Sequence, residues 1–279
     1  MNLAEKYSKI NVMLRYPLGE ISIGKSRESE EIHMIKIFQP PSTIPEELSH
    51  DLLHTLEEET RALQERDPKV IVPPFHSNRI DKGLIAIFNH PSFPSLYQYI
   101  HKDNPLKPKT IISLLEQLAD IFSHLFDLGI HRFQLEPDLI LINPKNHRIV
   151  YLDTGLVNLA KYPEIIRLGY LDGKPQFLPP ELLRAGELSA ASEVYILSVL
   201  THYLFTGKLP FENLSPAAVA AYSIYEHLPP LNRYKNAREP KLNKLISEAS
   251  EKKPEKRIAS VEEFLKKLKG TFSSSKKTR

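Results

Sequence analysis

Few residues in this chain could do chemistry. There is no cysteine, which excludes disulfides, thiol nucleophiles and thiolate metal sites. His50 and His54 stand four apart. That spacing suits a metal on one helix face, yet no third ligand accompanies them, and they read as a surface pair. The acidic run Glu57-Glu58-Glu59 is separated by helical geometry. Glu59 lies three residues after Leu56 and four before Leu63, on an apolar stripe, while Glu57 and Glu58 point elsewhere. Three solvated glutamates are the plainer reading. Lys36 sits in His-Met-Ile-Lys-Ile-Phe, where an isolated lysine is ordinarily a solvated edge residue. Asp153-Thr154-Gly155 is a triplet also used where two aspartates share one proton. One copy, flanked by helical patterns, argues against that chemistry here.

The elements that must position these groups can be read in order. Residues 10–14, 20–24 and 32–38 read as strands, with 70–72 and 84–88 as two more. Residues 46–65 form a helix on Leu48, Leu52, Leu56 and Leu63. Residues 110–128 form a second amphipathic helix, with Ile111, Leu115, Leu118, Phe122 and Leu125 on its stripe and Gly129 at its end. Residues 139–142 and 149–151 are short apolar strands joined by Asn143-Pro144-Lys145-Asn146. Residues 192–205 are apolar nearly all round, the mark of a buried helix. Ser215-Pro216 caps another helix. Ser260-Val261-Glu262-Glu263 is a capping box that opens the last helix, which ends at Gly270.

Residues 129–155, with several later motifs, resemble the eukaryotic-type (Hanks-type) Ser/Thr protein kinase family. That family reads H-R-D-x-K-P-x-N before an apolar strand, then D-F-G. With Pro137 as the family's proline, its catalytic aspartate falls on Gln134, its lysine on Glu136 and its metal-binding asparagine on Leu139. The family's His and Arg fall on Arg132 and Phe133. Asp153-Thr154-Gly155 takes the D-F-G place. Pro179-Pro180-Glu181 matches A-P-E, and Arg257 matches the late arginine that pairs with that glutamate. The stretch Ser192–Phe205 followed by Thr-Gly-Lys-Leu-Pro-Phe matches the family's buried helix, with Glu193 in place of an aspartate that holds the catalytic loop.

The resemblance implies an α+β, bilobal protein-kinase-like fold. Residues 1–89 would be a β-rich N-lobe, 90–270 a mainly helical C-lobe, and 271–279 a Ser/Lys-rich disordered tail. It further implies nucleotide contacts at Lys36, Glu59 (the lysine's ion-pair partner), Gly19, Asn89, His90 and Asp153. Phe88 is in the gatekeeper place, and Asp153 is the surviving metal ligand. Gly19 would be the third glycine of the phosphate loop, whose first two positions hold Leu14 and Tyr16. The cofactor implied is ATP with magnesium, its binding weak or lost.

With 41% hydrophobic and 25% charged residues the chain has the composition of a soluble globular protein. A net charge of +3 is too small to argue for nucleic acid. No apolar run is long enough to span a membrane, and with no secretory signal the expected location is cytoplasmic. The expected function is that of a pseudokinase, a regulator or scaffold for a protein partner without phosphotransfer. A divergent active Ser/Thr kinase and a nucleotide-independent interaction module are the alternatives.

Overall fold

The computed structural model describes residues 3–64, 71–102, 106–127, 136–152, 161–170, 173–231 and 239–273. The chain divides into two compact units: residues 1–97 with 124–173, and residues 98–123 with 174–279.

The first unit is built on a five-stranded antiparallel sheet. A short helix α1 (Leu3–Lys6) leads into β1 (Tyr7–Tyr16), β2 (Gly19–Ser26) and β3 (Ile32–Phe38), and after helix α2 (Glu46–Gln64) come β4 (Pro74–Ile80) and β5 (Gly83–Asn89). The strand order is β1-β2-β3-β5-β4, which makes β3 central. Strand alternation sends Ile35 and Ile37 to one face, where Ile35 joins Tyr7, Ile85 and Ile87 in a core cluster. Met34, Lys36 and Phe38 take the opposite face, and all three are buried. Helix α2 packs on β4 and β5, burying Leu52, Leu53, Leu56 and Leu63.

One strand differs from the sequence expectation. The strand before β5 is Pro74–Ile80, not 70–72. Within 71–72, Ile71 makes an isolated parallel bridge to Tyr151, and the Val72 N–H donates to the Tyr151 carbonyl at 3.0 Å. Val70 lies outside the described residues. The polar run His76-Ser77-Asn78-Arg79 hid β4 because it is an edge strand with most of its residues exposed to solvent.

The unit also holds the paired strands β6 (Ile140–Ile142) and β7 (Ile149–Tyr151), introduced after helices α3 (Leu96–Lys102) and α4 (Pro108–Asp127). Their connection is the expected turn: Asn143 donates to the Arg148 carbonyl at 2.8 Å, and His147 donates to Asn143 at 2.9 Å. A five-residue helix, α5 (Pro163–Arg167), follows.

The second unit is helical. It contains α6 (Pro180–Leu183), α7 (Ala190–Thr206), α8 (Pro216–Tyr225), α9 (Glu239–Ala249) and α10 (Val261–Phe272). Helix α7 is buried along nearly its whole length and packs on α9 and α10. Gly207, at φ 70°, ends it in the left-handed conformation that glycine adopts without cost. Ser215 caps α8 by accepting the Ala218 N–H at 3.3 Å, and Ser260 caps α10 by accepting that of Glu263 at 3.2 Å. The last helix does not stop at Gly270. It continues to Phe272, whose ring stacks on Phe205 at 5.6 Å and 7°. Apolar burial there outweighs the weak helix propensity of one glycine. Residues 274–279 lie outside the described residues.

Candidate functional site

Lys36 stands at the middle of β3, opposite Ile21 of β2 and Ala86 of β5. It is 3% exposed, so it is not the solvated edge lysine that a lone strand lysine ordinarily is. Holding an ammonium inside a sheet is costly unless its charge is met.

The three glutamates of α2 separate as helical geometry requires. Glu57 reaches Arg79 of β4 through two hydrogen bonds, 2.6 and 3.1 Å. Glu58 lies 3.7 Å from His54, an exposed pair. Glu59 is buried. One cation beside it is Lys161, at 3.7 Å.

Lys161 introduces contacts that sequence reasoning missed. The Tyr162 hydroxyl meets the Thr55 hydroxyl at 2.5 Å and donates to the Asp51 carbonyl at 3.1 Å. Burial raises the pKa of that phenol, only partly opposed by the Thr55 hydrogen bond. The Tyr170 hydroxyl also meets that of Thr43. Asp51, Thr55 and Glu59 are four apart and share one face of α2. Lys161 and Tyr162 are therefore fastened to α2, and Tyr170 to Thr43 ahead of that helix. The four-residue spacing was the available signal, but nothing local said what would cover it.

Gly19 opens β2 opposite Phe38. A Cβ there would overlap the Ile37 carbonyl oxygen. Its glycine is thus required by close backbone approach within the sheet. Next to it, Tyr16 extends its hydroxyl to Glu136, 3.5 Å away, and Glu136 is fully buried. These are the residues that the resemblance sets at a family glycine and a family lysine, here in contact as a phenol and a carboxylate.

Asn89 ends β5 opposite His33. His90 follows, donating its N–H to the Ile32 carbonyl at 3.1 Å. Burial lowers the pKa of its imidazole. Phe88 is buried beside them. The connection onward is stitched to the β6 edge: Ile142 donates to the Pro94 carbonyl at 3.0 Å, and Ser95 bridges Leu141.

Leu139 is 1% exposed. Its N–H donates to Glu136 at 2.9 Å and its carbonyl accepts from Leu152 at 2.8 Å. An apolar side chain in this place offers no oxygen to a cation. Gln134 and Asp153 lie outside the described residues. The resemblance puts Leu139 at one metal position, where its side chain would offer a magnesium ion no oxygen, whereas Lys36 would suit a phosphate.

In the second unit Glu181 and Arg257 form the expected pair, described below with its contacts. Glu193 lies in the first turn of α7, half-buried. Burial, and secondarily the charge of Glu262, push its pKa up to about 7.

The model of the protein kinase domain matches residues 17–268. The chain belongs to the protein kinase domain family. The kinase domain is 27% identical over 269 residues to the serine/threonine-protein kinase pkn3 of Myxococcus xanthus, covering 90% of this chain and 48% of that protein. It is 22% identical to the serine/threonine-protein kinase PrkC of Bacillus subtilis, covering 81% and 35%. It thus spans half or less of the length of these relatives. Among solved structures it is similar to the PknI kinase domain of Mycobacterium tuberculosis in a double-mutant form, with TM-score 0.68, 15% identity and 96% of each chain covered. That likeness carries the fold alone: α+β, kinase-like, with a β-rich amino-terminal lobe and a helix-rich carboxy-terminal lobe. Among the described residues no helix is long and apolar enough to cross a membrane.

Proposed function

We propose that this kinase domain is a pseudokinase that regulates or scaffolds a protein partner, binds nucleotide weakly or not at all, and transfers no phosphate. The observation that carries this reading is Leu139, buried where the family needs an oxygen ligand for the second metal ion. The sequence adds Gln134 in the place of the catalytic aspartate. An amide does not take the proton of an acceptor hydroxyl, and such a base contributes about 10²–10⁴-fold in rate. The two losses compound, because phosphoryl transfer rests on positioning and charge neutralisation. The Tyr16–Glu136 contact adds bulk and negative charge near the same place.

A divergent active kinase is the second reading. It is favoured by the burial of Lys36 and Glu59, together with Asp153 in the sequence. Radiolabelled phosphate transfer from ATP to a generic substrate and to the chain itself separates the two. Background counts are expected in wild type and in Gln134→Asp, since repairing one member of a cooperating set returns little. Transfer by wild type that disappears in both Lys36→Ala and Asp153→Ala would establish the divergent kinase instead.

A further inference from the structure

The sheet of the first unit carries a cavity of about 440 Å³ on its other face, in the size range of small-molecule sites. Strand alternation puts His33 on the face of Ile35 and Ile37, away from Met34, Lys36 and Phe38. The cavity is therefore not the place of Lys36. Its floor is Tyr7, His33 and Ile87, all buried. Phe75 stands at its side, 48% exposed.

Single exposed apolar side chains are normal on a surface, but Phe75 is aimed. Pro74 pairs with Phe88 and His76 with Ile87, so Phe75 is the extra residue of a β-bulge. A bulge re-aims a side chain. The Phe75 ring meets His33 with centroids 4.8 Å apart at 64°, and Tyr7 meets His33 at 5.7 Å and 69°. The rings stand across one another as walls, not as a stack. His33 is held without a ligand: Nδ1 is hydrogen-bonded to the Tyr7 hydroxyl at 3.0 Å, and Nε2 lies 3.6 Å from Glu31.

The rim carries both signs of charge. Helix α1 brings Glu5 and Lys6, and the turn after β2 brings Arg27 and Glu28. Among the described residues Lys6, Arg27 and Glu28 make no ion pair.

We infer that this cavity binds a small zwitterion of the trimethylammonium carboxylate class, its cation against the rings of Phe75, His33 and Tyr7 and its carboxylate at Arg27 and Lys6. A ring face attracts a methylated ammonium through its quadrupole, and a box of rings is the usual receptor for such a cation. A primary ammonium would give up hydrogen bonds to water that ring faces do not replace. A plain anion would meet Glu5 and Glu28 and leave the rings nothing to attract. A plain cation would meet Lys6 and Arg27. The zwitterion satisfies both ends, and walls already fixed by their own contacts lose little freedom on binding.

The experiment titrates the 279-residue chain by calorimetry with trimethylglycine, tert-butylacetate and choline. The second has the same shape with carbon in place of the charged nitrogen. The third keeps the cation and has a hydroxyl in place of the carboxylate. Trimethylglycine should bind about tenfold tighter than either. Phe75→Leu keeps an apolar side chain and removes the ring. It should weaken trimethylglycine about tenfold and leave tert-butylacetate unchanged. Arg27→Gln should weaken trimethylglycine and leave choline unchanged. No saturable binding of trimethylglycine, equal binding of tert-butylacetate or of choline, or no effect of Phe75→Leu would each overturn the inference. The order of the three ligands in wild type decides without any variant having to fold. Phosphate transfer does not enter these titrations, so this inference and the pseudokinase reading can fail separately.

Discussion

Arg257 grips Glu181 with two parallel hydrogen bonds, Nη1 to Oε1 and Nη2 to Oε2, each 2.9 Å. Two more of its donors are used: Nη1 also donates to the Ala191 carbonyl at 2.5 Å and Nε to the Glu251 carbonyl at 2.9 Å. The Ser192 hydroxyl donates to Glu181 at 2.6 Å. Burial alone would raise the Glu181 pKa, but the Arg257 and Ser192 hydrogen bonds and the Arg257 charge outweigh it and hold it below its ordinary value.

Removing one partner of a pair this buried leaves a charge without compensation. Arg257→Ala should cost about 3–5 kcal/mol, and Arg257→Lys should recover little because an ammonium cannot form the fork. Urea unfolding of the two variants checks this. A loss under about 1 kcal/mol, the range of an exposed pair, would show that the site relaxes to admit water. The depressed Glu181 pKa adds a pH arm. Its stabilisation is present above the ordinary carboxylate range and is lost as pH falls through the folded value.

Glu193 has the opposite sign. Its folded pKa of about 7 lies above the unfolded value. Below the unfolded value both states hold the proton and nothing is lost. As pH rises from about 4.5 to 7, the folded state resists ionisation and stability falls; above that window the loss is constant. Glu193→Gln should match wild type at pH 4 and exceed it at pH 8. Unfolding midpoints at the two values test the claim, and an equal gap at both would count against it.

The Tyr162 hydroxyl joins Thr55 and Asp51. Tyr162→Phe should cost about 1 kcal/mol and speed amide exchange across 161–170. Thr55→Ala should do the same, and the double variant should cost less than the sum. Additive losses would mean that the two hydroxyls do not share one interaction.

Gly19→Ala tests whether that glycine serves the sheet or a ligand. The added methyl would strike the Ile37 carbonyl, so β2 must pull away from β3, at about 1–3 kcal/mol. The loss should appear in thermal melts without any nucleotide. An unchanged melt would return Gly19 to the role of a phosphate-loop residue.

The sequence was most legible where one physical rule dominated. Residues 32–38 are apolar but for His33 and Lys36, as a central strand requires, and the structure has a strand with those bounds. Ser215-Pro216 names its own helix start, and helix α8 begins at Pro216. Legibility failed where distant contacts decide. Pro74–Ile80 looks like a loop because an edge strand with a polar face lacks apolar alternation. Gly270 looked like a stop until Phe272 found Phe205. At the site, the inward turn of Glu59 followed from helical spacing, but Lys161 and Tyr162 could not be placed without the fold. Gly19 fits a motif position, and the sequence alone does not show that its close neighbour is the Ile37 carbonyl.

The β6–β7 pair is a two-stranded sheet whose flanks are occupied. Ile71 and Val72 line β7 through Tyr151, and Pro94 and Ser95 line β6 through Ile142 and Leu141. A hairpin alone would leave rows of open N–H and C=O groups, a template for pairing between molecules. Here both rows are met by segments that precede the hairpin by some forty to eighty positions in the chain. A carboxy-terminal fragment that begins after residue 97 would keep the hairpin and lose both covers. Such a fragment, from proteolysis or an early cut in expression, should self-associate through its bare strand edges while the whole chain does not.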